Sequence, residues 1–249
     1  MRTAAMPAIH AIDYGERARL GIIVPSGNVI AEPQIHAMLP AGVAAYITRL
    51  PLQGSGEAEL LAMPAHVESA ARLLAHARVD AVVFHCTAVS TYSRALSDTI
   101  TRQIAQTSGL PSFATSDAII RALEVLRARK IVLLTPYIAA VTAREVSFLA
   151  DHGVQVLQQD SLGIDTNTEM ARLAPQVFVD MALRNRCDDA DAYFLSCTAI
   201  RSAEIIDMLE NRLQRPVLTS NQAMVWHALR ACGIGDAIPG FGALMTQPA

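Results

Sequence analysis

Two cysteines sit in near-copies of one motif, DAVVFHCTA from Asp80 to Ala88 and DAYFLSCTA from Asp191 to Ala199. Asp, Ala, Cys, Thr and Ala match in register, so Cys86 and Cys197 occupy the same place in each copy. The thiolate is the base and nucleophile of cysteine chemistry, and a thiol at a helix start is expected to have a lowered pKa. One thiolate and one thiol facing a carbon can exchange protons on its two faces, or can add to a double bond and protonate its neighbour. Neither route calls for a metal or an organic cofactor, and none is expected. Two neighbouring thiolates repel, so the pair is expected to hold one proton. Cys187 and Cys232, assigned to helical regions, read as small buried hydrophobes. No C-x-x-C pair, zinc spacing or disulfide framework is present, so all four cysteines are expected as reduced thiols.

Four short segments accompany the pair: Pro25-Ser26-Gly27-Asn28, Cys86-Thr87-Ala88, Thr135-Pro136-Tyr137 and Cys197-Thr198-Ala199. Each ends an apolar run, and in an open parallel sheet ligands bind at the carboxyl ends of strands. Asn28, with two donors and an acceptor, suits either a carboxylate or a helix cap, and Ser26 shares that ambiguity. The Tyr137 hydroxyl reads as a substrate donor or as a packed ring with its tip at the surface. Asn167, in the loop Asp165-Thr166-Asn167, reads from the residues alone as turn chemistry. His85 adjoins Cys86, but adjacent strand side chains face opposite ways, so no ion pair is expected. Arg201 fits a carboxylate binder and a solvent-facing charge equally well.

The elements that must position these residues are legible as apolar runs bounded by turn residues. Strands are expected at 20–24, 44–48, 81–85, 112–115, 131–135, 154–157, 192–196 and 217–219. Helical periodicity marks 57–78, 91–107, 116–127, 139–152, 170–186, 202–213 and 221–231. Alternation of strand and helix predicts α/β architecture with mainly parallel sheets. The repeat extends beyond the cysteine motif. Pro25 and Pro136 are separated by the same offset as Cys86 and Cys197, and at a slightly shorter offset Pro111, Thr115 and Ala118 match Pro216, Ser220 and Ala223. Any two βα units share residue classes, but that pattern does not impose an identical spacing from proline to cysteine in both halves. Two pseudo-symmetric lobes are therefore expected, 18–110 plus 217–249 carrying Cys86 and 111–216 carrying Cys197, with the two thiols across one cleft.

A chain of 249 residues with 52% hydrophobic residues can bury a large core. The net charge of -3, with no Lys/Arg run, lacks the electrostatic footprint of a nucleic-acid or anionic-membrane binder. No apolar stretch approaches the roughly 20 residues that span a bilayer, and Met1 to Arg17 lacks a secretory layout. The expectation is a cytoplasmic, homo-oligomeric enzyme with a small-molecule substrate. A non-catalytic acid binder is the competing class, but binding alone needs no pair of reactive thiols.

Taken together, Pro25-Ser26-Gly27-Asn28 with Glu32, Cys86-Thr87, Pro136-Tyr137, Ser161-Leu162 with Asn167 and Arg172, and Cys197 with Pro239-Gly240 carry a resemblance. From Arg19 to Leu244 the chain resembles the maleate cis-trans isomerase and arylmalonate decarboxylase group of the aspartate/glutamate racemase superfamily. The resemblance implies two Rossmann-like lobes with the site between them, no cofactor or metal, and a substrate bearing one or two carboxylates. It implies Cys86 as nucleophile and Cys197 as acid, with Asn28, Tyr137 and Asn167 holding carboxylate. Pro25, Ser26, Thr87, Ala88 and Thr198 complete the expected substrate-binding set. Decarboxylases of the group carry Gly where this chain has Cys86, so the sequence sides with the isomerases and racemases. Its departures are Gly27 in place of a usual Ser and the residues following each cysteine, while Thr87 with Tyr137 resembles the decarboxylase oxyanion-binding set. Isomerisation is the first reading; racemisation, arylmalonate-type decarboxylation and a branch linked to ectoine breakdown are the alternatives.

Overall fold

The computed structural model describes residues 12–52, 54 and 56–248, so most of the segment from Met1 to Arg17 lies outside the described residues. Among the described residues the strands form two four-stranded parallel sheets. The first, ordered β2-β1-β3-β4, comprises β1 (Ala18–Pro25), β2 (Val43–Leu50), β3 (Ala81–Phe84) and β4 (Ser112–Ala114). The second, ordered β6-β5-β7-β8, comprises β5 (Lys130–Tyr137), β6 (Gln155–Ile164), β7 (Ala192–Leu195) and β8 (Val217–Thr219). Every strand expected from the apolar runs is present. β6 runs on past Leu157 because it is a half-exposed edge strand whose outer residues carry no apolar signal.

The pairing register repeats with the sequence offset. Leu20 pairs with Ala81 and Ile131 with Ala192; Val82 pairs with Ser112 and Tyr193 with Val217. The matched aspartates play the same part in each half. Asp80 Oδ2 accepts the Arg19 N–H at 2.8 Å, and Asp191 Oδ2 accepts the Lys130 N–H at 2.8 Å, each pinning the start of a central strand.

Helices depart from the expected spans where proline intervenes. The expected helix 57–78 is two, α2 (Glu57–Ala62) and α3 (Pro64–His76), because Pro64 has no N–H to continue the ladder and starts a new helix instead. The expected helix 170–186 likewise divides into α8 (Asn167–Arg172) and α9 (Pro175–Arg184). Between Thr87 and Ser108 lie α4 (Thr87–Ser90) and α5 (Arg94–Ser108), the latter capped by Ser93 Oγ. α1 (Ala31–Met38) escapes the periodicity, being short and having Pro33 inside it. The remaining helices are α6 (Thr115–Val125), α7 (Ala139–Asp151), α10 (Ile206–Leu213) and α11 (Ser220–Ala231).

The expected lobe boundaries shift. β4 hydrogen-bonds β3 and β8 hydrogen-bonds β7, so each belongs to the sheet of the half before it, not to the lobe beginning at 111 or 217. The crossover comes after β8: α11 packs on α1, α6 and β3 of the first half. Alternate strand residues feed two cores, and each core draws on both sheets. Ile23, Phe84, Leu134 and Leu195 face one; Ile22, Val83, Leu133 and Phe194 face the other, together with residues of α6 and α11.

Candidate active site

β3 and β7 are short, fully buried strands, and each delivers a cysteine just past its carboxyl end. Cys86 is 4% exposed and Cys197 2%, both in the same apolar cluster as Leu52, Leu60, Met63, Tyr137 and Met170. The halves thus close over the pair. Besides burial, the charge of Cys86 acts on Cys197 and raises its pKa, so the two thiols sense each other. One hydroxyl links the two loops directly: Ser220 Oγ accepts from Thr87 Oγ1 at 2.9 Å and from the Cys197 N–H at 3.2 Å.

Burial dominates both sulfurs and pushes each thiol up to about 12. The groups that oppose it differ. At Cys86 they are the backbone N–H groups of Val89 and Ala88. At Cys197 they are the Tyr137 hydroxyl and the Ala199 N–H, the latter at 3.2 Å, with Met170 Sδ 3.8 Å from the sulfur. The expectation of a lowered pKa is therefore corrected for the closed site. Helix α4 has one turn, Cys197 precedes a turn and not a helix, and neither offers enough dipole to offset desolvation.

Two of the other candidates, Asn28 and Asn167, are held by contacts between the halves. Asn28 is 1% exposed, and both ends of its amide are engaged. Its Oδ1 accepts the Ile30 and Ala31 N–H groups at 2.9 and 3.0 Å, and its Nδ2 donates to Thr198 Oγ1 at 3.0 Å across the halves. An amide nitrogen carries two hydrogens, so this leaves one donor uncommitted by the Thr198 bond. Pro25 O accepts the Asn28 N–H at 3.1 Å, closing the turn. Asn167 is not in a loop. It is the first residue of α8, because Thr166 Oγ1 caps the Glu169 N–H. From there it meets the first half: Ser26 Oγ, the Gly27 N–H and Asn167 Nδ2 converge on Leu52 O at 3.4, 3.2 and 3.5 Å. A carbonyl oxygen occupies a nest of donors of the kind that would receive a carboxylate. A Cβ on Gly27 would lie 3.3 Å from both Asn167 Nδ2 and Leu52 O, which explains a residue without a side chain at this point.

Helix α2, whose Leu60 packs in the cluster with the cysteines, is tied across the halves by charge. Arg144 on α7 pairs with Glu57 on α2 at 3.0 Å and lies 4.5 Å from the Tyr92 ring centroid, and Tyr92 in turn hydrogen-bonds Glu57.

His85 is fully buried with its ring nitrogens on Thr115 Oγ1 (2.9 Å) and Asn221 Oδ1 (2.8 Å), away from catalytic use. Burial lowers it to about 4, so it is neutral at pH 7. Arg201 pairs with Glu204 at the surface. Cys187 lies in the loop after α9 and Cys232 at the carboxyl end of α11, both half-buried. Ser220, Val89, Met170 and Glu145 are near the thiols without having been singled out. Ser220 and Glu145 had a signal in the repeat, their matches to Thr115 and Gln34.

No helix among the described residues is long and apolar enough to cross a membrane, and none of their His, Cys, Asp and Glu side chains cluster to hold a metal ion. A family model described as Amdase, arylmalonate decarboxylase, matches residues 20–245. The maleate isomerase of Pseudomonas putida strain KT2440 is 27% identical over 242 residues, covering 92% of this chain and 97% of that protein. The arylmalonate decarboxylase of Bordetella bronchiseptica is 34% identical over 151 residues, covering 59% and 63%. Among solved structures, a variant of the maleate isomerase Iso from Pseudomonas putida S16 with maleate aligns with TM-score 0.86 at 25% identity, covering 92% of this chain and 97% of that one.

Proposed function

The chain belongs to the arylmalonate decarboxylase family, and from that premise we propose that it is an isomerase of a small dicarboxylate, maleate cis-trans isomerase-like, working by two-cysteine chemistry. The observation that carries this reading is the presence of both thiols, Cys86 and Cys197, buried at equivalent strand ends whose loops are bridged by Ser220. Cys86 as thiolate adds to one alkene carbon, and the Cys197 thiol gives its proton to the adjacent carbon. The former double bond is then single and can rotate. Cys197 as thiolate takes a proton back from that carbon, the double bond re-forms in the trans geometry, and the Cys86 sulfur leaves as thiolate. Protons and electrons balance over the cycle without a cofactor.

Asn28, Ser26, Asn167, Thr87, Thr198, Tyr137 and the Ala88 backbone N–H are the proposed substrate-binding set, with Pro25 shaping the turn that presents Ser26 and Asn28. Their donors are neutral, and a carboxylate displacing Leu52 O from Ser26, Gly27 and Asn167 would exchange a weak acceptor for a charged one. A reducing cytoplasm suits four free cysteines, and a homo-oligomer is the proposed assembly.

A second reading, arylmalonate-type decarboxylation, is favoured by the 34% identity to the Bordetella enzyme and by the contact between Tyr137 and Cys197. Proton NMR in deuterated water separates the two. With maleate, the vinyl signal of the trans acid should grow. Loss of carbon dioxide from a phenylmalonate with no change to maleate would replace the isomerase reading by the decarboxylase one, and deuterium exchange at an α carbon alone would indicate a racemase.

Asn28 offers a direct test of carboxylate binding. Asn28→Asp keeps the oxygen that caps α1 but loses the amide donor. It should lower kcat/KM by on the order of 10- to 100-fold, the loss of one charge-assisted hydrogen bond worth about 1.5 to 3 kcal/mol. Asn28→Ala should show the same kinetic loss and also destabilise the fold by about 1 kcal/mol through the lost cap. Steady-state kinetics and urea denaturation check both; an Asp variant with unchanged kinetics would leave Asn28 as a cap only.

A further inference from the structure

The turn that carries Ser26, Gly27 and Asn28 is held from behind by a cation. Arg49, near the end of β2, pairs in register with Val24 of β1, beside the point where the chain leaves that strand for the turn. Its Nη1 donates to Asn28 O at 2.7 Å and, at longer range, to Ser26 O at 3.3 Å and Pro25 O at 3.4 Å. Nη1 has two hydrogens for three acceptors, so the Asn28 bond leads and the other two share. Nη2 pairs with Glu32 Oε1 of α1 at 2.5 Å. Glu32 accompanies the turn in the sequence resemblance, and no step of the reaction above uses it.

A trans peptide points its carbonyl and its N–H in opposite directions. The Ser26 carbonyl and the Gly27 N–H belong to one peptide, and the described residues contain no cis bond. Fixing Ser26 O on Arg49 therefore aims the Gly27 N–H the other way, to Leu52 O, where Ser26 Oγ and Asn167 Nδ2 also arrive. A cation on the carbonyl side polarises that peptide and strengthens its N–H as a donor. The bond to Asn28 O fixes the backbone of the residue whose side chain caps α1 and reaches Thr198. Positive charge thus stands behind a set of donors that are themselves neutral.

The fold does not require this arrangement. The offset that relates the two cysteines carries Val24 to Thr135, and Thr135 pairs with Ser161, so a serine stands in the second half where Arg49 stands in the first. The same offset puts Ala143 opposite Glu32 and Ala139 opposite Asn28. Cation, counter-ion and amide occur together in one half and are replaced together in the other. The Arg49 and Glu32 side chains are 36% and 34% exposed, and an ion pair so open to water adds little to stability, so folding alone is a weak reason for the set.

We infer that Arg49 is a positioning residue for the substrate: its guanidinium, oriented by Glu32, turns the Gly27 N–H and the Asn28 amide toward one carboxylate. The inference rests on carboxylate binding by this turn, as proposed above. It assigns the charge complement of that carboxylate to a side chain that does not touch it.

Arg49→Met keeps the length of the side chain and removes its donors and its charge. KM for maleate should rise on the order of tenfold, as for one weakened charge-assisted hydrogen bond, while kcat changes less than about threefold. Arg49→Lys, which keeps the charge without the fork, should recover part of the loss. Glu32→Ala should raise KM by a smaller factor, and combining it with Arg49→Met should raise KM no further, because Glu32 acts through Arg49. A merely structural pair would lower the urea midpoint of Arg49→Met and leave KM at the wild-type value, which overturns the inference. Succinate gives a readout free of turnover, since a saturated dicarboxylate has no alkene to receive a thiolate. Calorimetric titration should show Kd about tenfold weaker in Arg49→Met than in wild type. An unchanged Kd sinks the inference whatever the activity, and so does a wild type that binds no succinate. Weakened binding in a protein that isomerises nothing keeps the role of Arg49 and removes the isomerase reading.

Discussion

Cys86→Ser is expected to abolish isomerisation, lowering kcat by on the order of 10⁴-fold or more, and to leave no covalent adduct with substrate. The reason is the environment as much as the element. Burial already holds the Cys86 thiol up to about 12, against which only the Val89 and Ala88 N–H groups act. In the closed site almost none of it is thiolate at pH 7. A thiolate there therefore depends on solvent reaching the sulfur, where the pKa of a thiol lies nearer its ordinary value. A serine hydroxyl, far less acidic to begin with, has no such route, and oxygen is the poorer nucleophile toward an alkene. The change should leave the fold intact, since serine is close to isosteric with cysteine. Circular dichroism with a progress curve on maleate checks it. A folded variant that still isomerises at close to the wild-type rate would remove Cys86 from the nucleophile's role.

The equivalent places of the two cysteines and the eight strands were readable because they repeat. Apolar runs and one fixed offset are enough, since local pattern transmits that offset into pairing such as Leu20 with Ala81 and Ile131 with Ala192. What stayed hidden depends on distant segments meeting. The raised thiol pKa values come from Leu52, Leu60, Met63 and Met170 closing over the sulfurs, and no local motif announces that closure. The lobe boundaries moved because the crossover comes after β8, where α11 turns to the first half, and a helix carries no mark of which sheet it will cover. Asn167 read as a turn because its helix is six residues long and begins on a threonine cap. Glu145 sits in an ordinary amphipathic pattern, and only its match to Gln34 distinguishes it.

Cys197→Ser should behave differently from the Cys86 variant even though the two cysteines occupy equivalent positions. The Cys86 nucleophile and its two backbone donors remain, so addition to the alkene can still occur. What is missing is the acid on the adjacent carbon, a contribution worth on the order of 10²- to 10⁴-fold. A hydroxyl is a much weaker acid than a thiol. The carbanion formed by addition is then protonated slowly, by the Tyr137 hydroxyl that otherwise contacts the Cys197 sulfur or by water when the site opens. Once protonated it is trapped, because the group that should remove that proton again is no longer a base. Intact-protein mass spectrometry should therefore show an added mass equal to one substrate molecule, localised to the peptide containing Cys86, while kcat falls by about 10²-fold or more. An adduct that forms without Cys86 and is lost without Cys197 would reverse the two roles. Absence of an adduct in wild type and in both variants would point to proton exchange or loss of carbon dioxide in place of addition.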